Sequence, residues 1–284
     1  MKIAVVGLGL IGGSIAKAIK RNTKHNCYAI DINADTIAQA LSQEAIDGAI
    51  TPDELSDMDM TIVSLYPEGI IKFVKDNASK FKKGSVVLDT CGIKTAIVSE
   101  LTGLLRDNEV SFVGCHPMAG REFSGFEYSV DNLFDNASFI ITPSDETNME
   151  TVEKVKKLAE QLRFRRCVLS TPQKHDEVIA FTSQLAHIVS SAYVKSPSLL
   201  NENGFSAGSF KDMTRVALLN EDMWTSLFML NREALTDEIS HIIGALNEYL
   251  EVLRDGDSEK LHELLKQGRQ LKESSNKQIT DNQF

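Results

Sequence analysis

His116 stands in a sequence setting where an imidazole can take part in proton transfer. It lies in the segment GCHPMAGREFSG at residues 114–125, directly after the apolar run Val110–Val113. Neutral imidazole titrates near neutral pH, and a positioned general base contributes ~10²–10⁴-fold to a reaction. The segment alone leaves two interpretations open: an acid–base group directed into a reaction site, or a structural histidine in a tight turn.

A glycine-rich segment near the start of the chain predicts a dinucleotide site. The run Lys2–Val6 is β-branched and leads into a G-x-G-x-x-G pattern that opens a helical segment. Such glycines allow a tight turn and close approach to a pyrophosphate, which the free N–H groups at the helix N-terminus then bind. The cofactor contacts predicted here are Gly7, Gly9, Leu10, Ile11 and Gly12.

Asp31 favours NAD over NADP. It ends a second strand-like run, 19 residues after Gly12. A carboxylate there accepts hydrogen bonds from the ribose hydroxyls and repels a 2′-phosphate. The alternative is that Asp31 only caps the helix that begins near Ala34.

The order of elements predicts an α/β fold with a Rossmann-type, doubly wound and mostly parallel sheet. Strand-like runs recur at 61–64, 86–88, 110–113, 138–141 and 168–169, with helical patterns between most of them. Ligands of such sheets lie outside the carboxyl ends of the strands. His116 follows one of these ends, and the other ends add the predicted cofactor contacts Ser64, Tyr66, Thr90 and Gly92.

The second part of the chain predicts an all-helical dimerisation domain. Thr171 and Pro172 form a helix start signal, and apolar residues then recur every three to four positions over 173–195, 209–219, 222–254 and 258–274. We therefore predict a dinucleotide-binding domain at 1–170 and a helical substrate and dimerisation domain at 171–284. The long apolar helix faces indicate a homodimer, and the polar end from residue 272 is expected to fray.

The composition of the chain limits the classes of partner that it is expected to bind. The formal net charge is −10, with no block of Lys or Arg, which argues against nucleic acid or an anionic membrane surface. No stretch approaches the ~20 apolar residues of a membrane helix. The four cysteines are far apart, without a C-x-x-C pair, which argues against a zinc site or disulfide framework and suits the cytoplasm. We expect a small-molecule substrate and no metal.

Two groups in the helical part are candidates for substrate binding. Ser183 and His187 are four residues apart, so a regular helix presents them on one face. Arg215 and Trp224 lie in or beside a glycine-containing loop region. The alternatives are a histidine satisfied within the protein and an arginine engaged in an ordinary salt bridge.

Taken together, these segments resemble the prephenate dehydrogenase family of tyrosine biosynthesis. The resemblance extends from GLGLIGGS at 7–14 through GCHPMAGREFSG and HDEVIAFTSQLAH at 175–187 to FKDMTRVA at 210–217. It implies NAD-dependent oxidative decarboxylation of prephenate to 4-hydroxyphenylpyruvate, with arogenate as a further candidate substrate. His116 would accept the proton of the ring hydroxyl, and Arg215 would bind a carboxylate. The implied substrate contacts are Arg121, Ser183, Gln184, His187, Arg215 and Trp224.

The chain departs from the family pattern at several positions. Gly92 stands where many relatives carry a serine that hydrogen-bonds the catalytic histidine, so Thr90, a backbone group or a water would orient His116 instead. Gln184 replaces a histidine, and Arg121 replaces a common threonine. Arg121 contacts a carboxylate of a substrate or feedback ligand, or pairs with a neighbouring glutamate, Glu122 or Glu127. Lys94 either approaches the site or is solvated at a helix start.

Two other functions remain as alternatives. A β-hydroxyacid dehydrogenase shares a dinucleotide domain followed by helices, but the H-P-M-A-G run opposes it. A non-enzymatic NAD(H)-binding redox sensor would need a partner-binding segment, and only the short polar end is unassigned.

Overall fold

The structure is a computed structural model, and it describes residues 1–121 and 123–281. In these ranges eight strands form one sheet in the order β3-β2-β1-β4-β5-β6-β7-β8. The strands are β1 (Lys2–Val6), β2 (Asn26–Ile30), β3 (Gly48–Ala49), β4 (Met60–Val63), β5 (Val86–Asp89), β6 (Ser111–Pro117), β7 (Ser138–Thr142) and β8 (Arg166–Leu169). Neighbouring strands are parallel except for β6 and β7. The prediction of a Rossmann-type, mostly parallel sheet is therefore confirmed. The sequence did not predict β3, because a strand of two residues is too short to show an alternating pattern of apolar residues.

Helices cover both faces of this sheet. The α-helices of the described residues are α1 (Leu10–Asn22), α2 (Ala34–Ser42), α3 (Pro67–Asn77), α4 (Thr95–Arg106), α5 (Met149–Gln161), α6 (Pro172–Ile179), α7 (Leu185–Tyr193), α8 (Gly208–Thr214), α9 (Glu221–Leu230), α10 (Arg232–Asp255) and α11 (Ser258–Asp281), and residues of α1 to α6 pack in the cores on its two faces. Alternate residues of β1 belong to two separate apolar cores, Ile3 and Val5 to one and Ala4 and Val6 to the other. A strand buried on both faces reads as a continuous apolar run, as it does here.

The strand β6 changes partners halfway along its length. Its first half pairs with β5 from Ser111 to Val113, and its second half pairs with β7 from Gly114 to Pro117. β5 and β6 therefore diverge at Gly114. His116 lies just beyond this divergence, near the carboxyl end of the strand, where such sheets bind ligands.

A buried ion pair fills the divergence. Asp89 and Lys94 contact each other with fully buried side chains. The Asp89 carboxylate accepts the Cys115 N–H at 3.0 Å, and the Lys94 ammonium donates to the Cys115 carbonyl at 2.7 Å. The expectation of a solvated Lys94 is wrong, because this ammonium replaces a missing strand partner inside the sheet.

The helices after β8 are interrupted more often than their apolar spacing suggested. The helix predicted over 173–195 contains a π-helical turn, Ala180–Gln184, between α6 and α7. The helix predicted over 222–254 breaks at Asn231, between α9 and α10. The polar end is helical to Asp281, beyond the predicted limit at residue 274.

The chain forms two compact units. The first comprises Met1–Arg232, so it includes α6 to α9 along with the sheet, and the second begins at Glu233. Ile179 at the end of α6 belongs to one of the cores on the sheet, which is why these helices join the first unit. In the second unit, the Tyr249 hydroxyl of α10 donates to the Leu264 carbonyl of α11 at 3.5 Å. Across the described residues, no helix is both long and apolar enough to cross a bilayer.

Lys94→Met should destabilise the protein by about 3–5 kcal/mol, because it leaves the Asp89 charge buried without its partner. Urea unfolding measures the change. The double variant Asp89→Asn/Lys94→Met should be less destabilised than Lys94→Met, because no uncompensated charge remains and the asparagine oxygen still accepts one of the two backbone N–H groups that bind Asp89. A double variant no more stable than the single one would contradict this account.

Candidate active site

The glycine loop is shaped by contacts that exclude side chains. Gly7 directly follows β1 and has a φ of 85°, a value that favours glycine. A Cβ on Gly12 would lie 1.9 Å from the Gly7 carbonyl oxygen, so helix α1 approaches the strand too closely for any other residue. A Cβ on Gly9 would meet nothing within 4 Å. Gly9 is exposed and begins α1 without a side-chain cap, which leaves room for a ligand at the helix N-terminus.

Asp31 ties this loop to the end of β2. Its carboxylate accepts the Leu8 N–H at 2.7 Å and the Asn33 N–H at 2.8 Å. The cap of α2 is Asn33, whose side chain accepts from the backbone N–H groups of Asp35 and Thr36. The interpretation of Asp31 as that helix's cap is therefore wrong, since the neighbouring asparagine takes the role.

The remaining predicted cofactor contacts lie in α1 or follow the adjacent strands. Leu10 and Ile11 form the first turn of α1. Ser64 follows β4, and the Thr90 hydroxyl after β5 donates to the Ser64 hydroxyl at 3.1 Å. Tyr66 is exposed at the start of α3.

His116 is partly exposed, and its ring makes one hydrogen bond to another of the described residues. Its Nδ1 lies 2.9 Å from the Nε2 atom of His175. On the other side, the Cβ position of Gly92 lies 3.9 Å from its Nε2 and Cε1. Burial holds the pKa of His116 well below its usual range, and the neighbouring His175 and Lys94 lower it further. The imidazole is therefore neutral at neutral pH and competent as a proton acceptor.

His175 and Asp176 belong to the site, although their types and spacing did not point there. Both are buried in α6, and the Nδ1 atom of His175 lies 2.7 Å from an Asp176 carboxylate oxygen. Asp176 also accepts the backbone N–H groups of Lys94 and Thr95, each at 2.8 Å. Burial opposes its ionisation, but the hydrogen bonds from His175, Thr95 and Lys94 prevail and lower the pKa of Asp176. The sequence feature that could have indicated them is their position in the first turns of the helix that Thr171 caps.

His187 and Trp224 form a second group. Their ring centroids are 3.9 Å apart, and the Nδ1 atom of His187 donates to the Val216 carbonyl at 3.2 Å. Burial lowers the pKa of His187, the Val216 hydrogen bond opposes this, and the charge of Arg215 lowers it further. A neutral ring that donates through Nδ1 has an acceptor at Nε2.

Helix α9 brings the two groups together. Trp224 contacts His187, and one turn later Leu227 lies 3.8 Å from the Cβ position of Gly92, which borders His116. The carboxyl ends of β5 and β6 thus face the helices that carry the predicted substrate contacts.

Gln184 and Ser183 occupy the π-helical turn. Gln184 is buried, with its amide nitrogen 3.2 Å from the Leu227 carbonyl and its oxygen accepting from the Asn231 amide at 2.8 Å. These protein partners take up its polar atoms. Ser183 is partly exposed, and because a π turn has a different rotation per residue, the regular four-residue relation to His187 assumed from the sequence does not hold.

Arg121 is exposed on the loop after β6. Its guanidinium donates to the Tyr128 carbonyl at 3.4 Å, and the Tyr128 ring stacks on Phe123 with centroids 5.0 Å apart. Pairing with Glu122 lies outside the described residues. The loop thus carries a cation beside an exposed aromatic pair.

The cysteines near the site are thiols, not thiolates. Burial raises the pKa of Cys91 to about 11 and that of Cys115 well above its usual range. Within 1–121 and 123–281, no three His, Cys, Asp or Glu side chains are grouped in a way that could hold a metal ion.

Comparison with known proteins identifies the family. Residues 15–168 match the family described as "Prephenate dehydrogenase, nucleotide-binding domain", and residues 171–267 match "Prephenate dehydrogenase, dimerization domain". The chain is 29% identical to the prephenate dehydrogenase of Bacillus subtilis, over 93% of this chain and 73% of that protein.

Two solved structures are similar along nearly the whole chain. One is the prephenate dehydrogenase of A. aeolicus in complex with hydroxyphenyl propionate and NAD⁺, with 29% identity, a TM-score of 0.85, and coverage of 96% of this chain and 98% of that one. The other is Synechocystis arogenate dehydrogenase, with 26% identity, a TM-score of 0.83, and coverage of 97% and 100%. These matches, with the two family domains in order, show that the chain belongs to the prephenate dehydrogenase family of NAD-dependent oxidoreductases.

Proposed function

We propose that the protein catalyses the NAD-dependent oxidative decarboxylation of prephenate to 4-hydroxyphenylpyruvate in tyrosine biosynthesis. The observation that carries the proposal is His116, a neutral and partly accessible imidazole at the carboxyl end of β6. Its Nδ1 is hydrogen-bonded within the protein, while its Nε2 lies on the side of Gly92. Arogenate is the second candidate substrate, favoured by the similarity to the Synechocystis arogenate dehydrogenase.

The glycine loop fits NAD. The close contact at Gly12 and the open space at Gly9 form a cradle for a pyrophosphate at the N-terminus of α1. Asp31 would bind the ribose hydroxyls, and the contacts near the nicotinamide would be Ser64, Tyr66, Thr90 and Gly92. NAD supplies the hydride acceptor when it is bound.

His116 would act as the base during hydride transfer. As hydride leaves the ring carbon that bears the hydroxyl, that hydroxyl becomes acidic and passes its proton to Nε2 of His116. When carbon dioxide departs, its bonding electrons complete the aromatic ring, and the ring oxygen takes the proton back as a phenol. The overall products are 4-hydroxyphenylpyruvate, carbon dioxide and NADH, so the base is regenerated in each turnover.

The remaining side chains would bind and orient the substrate. The Arg215 guanidinium is suited to a carboxylate because it donates two parallel hydrogen bonds. His187 offers an acceptor at Nε2 beside the Trp224 ring, and Ser183 and Arg121 would complete the contacts. We assign Gln184 to the wall of the pocket, since its amide is engaged with Leu227 and Asn231.

We also propose that residues 1–170 bind the dinucleotide and that residues 171–284 supply substrate contacts and the homodimer interface. The match of residues 171–267 to a dimerization domain supports this. Several apolar side chains of the second unit are exposed, among them Ile243, Leu246 and Leu253 of α10. A second copy of the chain would cover such a face.

His116→Asn should lower kcat by ~10²–10⁴-fold with little change in NAD binding, because it removes the base. Arg215→Ala should instead act mainly on KM for the substrate, by about 2–5 kcal/mol in binding. NADH formation at saturating NAD, with prephenate, arogenate and a simple β-hydroxyacid offered separately, measures both. Unchanged turnover in His116→Asn, or activity with the β-hydroxyacid alone, would refute the proposal.

Gly9→Ala and Gly12→Ala should separate cofactor binding from folding. Gly9→Ala has open space, so the protein should keep its thermal stability while NAD binding weakens through contact with the pyrophosphate. Gly12→Ala meets the Gly7 carbonyl and should lower thermal stability as well. Calorimetric titration with NAD and thermal melting test the pair, and normal NAD affinity in Gly9→Ala would contradict this loop as the site.

The acid limb of kcat/KM should lie below pH 6.5. The base must be neutral, and because the pKa of His116 is lowered from 6.5, protonation inactivates the free enzyme only at more acidic pH. Measurements of kcat/KM for prephenate at pH values below and above 6.5 locate this limb. A limb at or above pH 6.5 that disappears in His116→Asn would contradict the environment described for this histidine.

A further inference from the structure

We propose that His175 and Asp176 are positioning residues that hold His116 in the tautomer whose Nε2 is free to accept a proton. The inference rests on the proposed function for its catalytic consequence. The arrangement itself is a line of three side chains, from Nδ1 of His116 to His175 at 2.9 Å and from His175 to Asp176 at 2.7 Å.

The direction of each hydrogen bond follows from the acid at the end of the line. An ionised Asp176 only accepts, so the proton between it and His175 is on Nδ1 of His175. An uncharged imidazole that donates through Nδ1 accepts through Nε2, so Nε2 of His175 is the acceptor in its hydrogen bond with His116. His116 must donate to it through Nδ1, which leaves Nε2 of His116 with a lone pair on the side of Gly92.

Asp176 is held in place from several directions. Its two carboxylate oxygens accept the backbone N–H groups of Lys94 and Thr95 at the start of α4. Its own carbonyl accepts from the Asn231 amide at 2.9 Å. Because the Asp176 carboxylate is buried and fixed by backbone donors, the hydrogen bonds that lead from His116 through His175 to Asp176 all donate toward this carboxylate.

Lys94 connects both ends of the arrangement. Its backbone N–H binds Asp176, and its ammonium donates to the carbonyl of Cys115, which directly precedes His116. The strand that carries the base and the helix that carries the acid are thus held to the same residue. Gly92 has no side chain that could bind Nε2 of His116. Among the described residues, the hydrogen bond that orients the His116 ring therefore comes from His175.

The first test is the tautomer itself. In the 284-residue chain, ¹⁵N shifts of the imidazole nitrogens distinguish protonated from unprotonated atoms, and the signals of His116 among six histidines are assigned by their loss in His116→Asn. At alkaline pH we expect Nδ1 of His116 protonated and Nε2 unprotonated. Asp176→Asn and His175→Ala should each move proton occupancy toward Nε2. Either variant suffices if the other fails to fold.

The matched control is Glu177→Gln. Glu177 follows Asp176 in the same helix, but its side chain is exposed and pairs with Lys174. This variant should leave both the His116 shifts and kcat unchanged. Shifts of His116 that match in wild type, Asp176→Asn and His175→Ala would overturn the proposal, as would a wild-type His116 already protonated at Nε2.

Kinetics with prephenate and NAD supply the second test. Asp176→Asn and His175→Ala should lower kcat at least about tenfold and leave KM within about threefold, because the substrate contacts are intact. A change confined to KM, or an equal loss in Glu177→Gln, would overturn the positioning role. The proposed function has its own test: it would be refuted if His116→Asn kept the wild-type turnover, whichever tautomer His116 has in the wild-type protein.

Discussion

The buried ion pair between Asp89 and Lys94 is the interaction on which the site geometry depends. It lies where β6 leaves β5, so backbone groups that would pair in a regular sheet lose their partners there. The carboxylate and the ammonium take over both polar groups of Cys115, and the Lys94 backbone at the same time binds Asp176. Buried pairs of this kind often add little net stability compared with apolar residues. Here the pair supplies directed hydrogen bonds that an apolar contact cannot provide.

Features with a local physical cause could be predicted from the sequence. The glycine loop is one, since the turn after β1 and the contact at Gly12 depend on residues within a few positions. The start of α6 is another, because Thr171 caps it by accepting from the Lys174 N–H at 3.2 Å. The family resemblance extended this to the whole chain, and the fold and family it implied are confirmed.

Features that depend on distant contacts could not be predicted. His116 and His175 are 59 positions apart, and no local pattern indicates that their rings meet. A lysine at a helix start is ordinarily solvated, so the burial of Lys94 follows only from the divergence of two strands. The break at Asn231 is similar, because its amide donates to Asp176 and Gln184, which are distant along the chain.

The π-helical turn at Ala180–Gln184 sets the direction in which His187 faces. A π turn holds one more residue than an α turn, and one residue corresponds to about 100° of rotation along a helix. If the same residues were wound as a regular α-helix, α7 would be rotated by about that angle and His187 would turn away from Trp224. Loss of one residue together with the π turn would instead keep the direction of α7, because the extra residue and the wider turn offset each other. Relatives that lack the π turn but keep this pair of rings should therefore have one residue fewer in this segment.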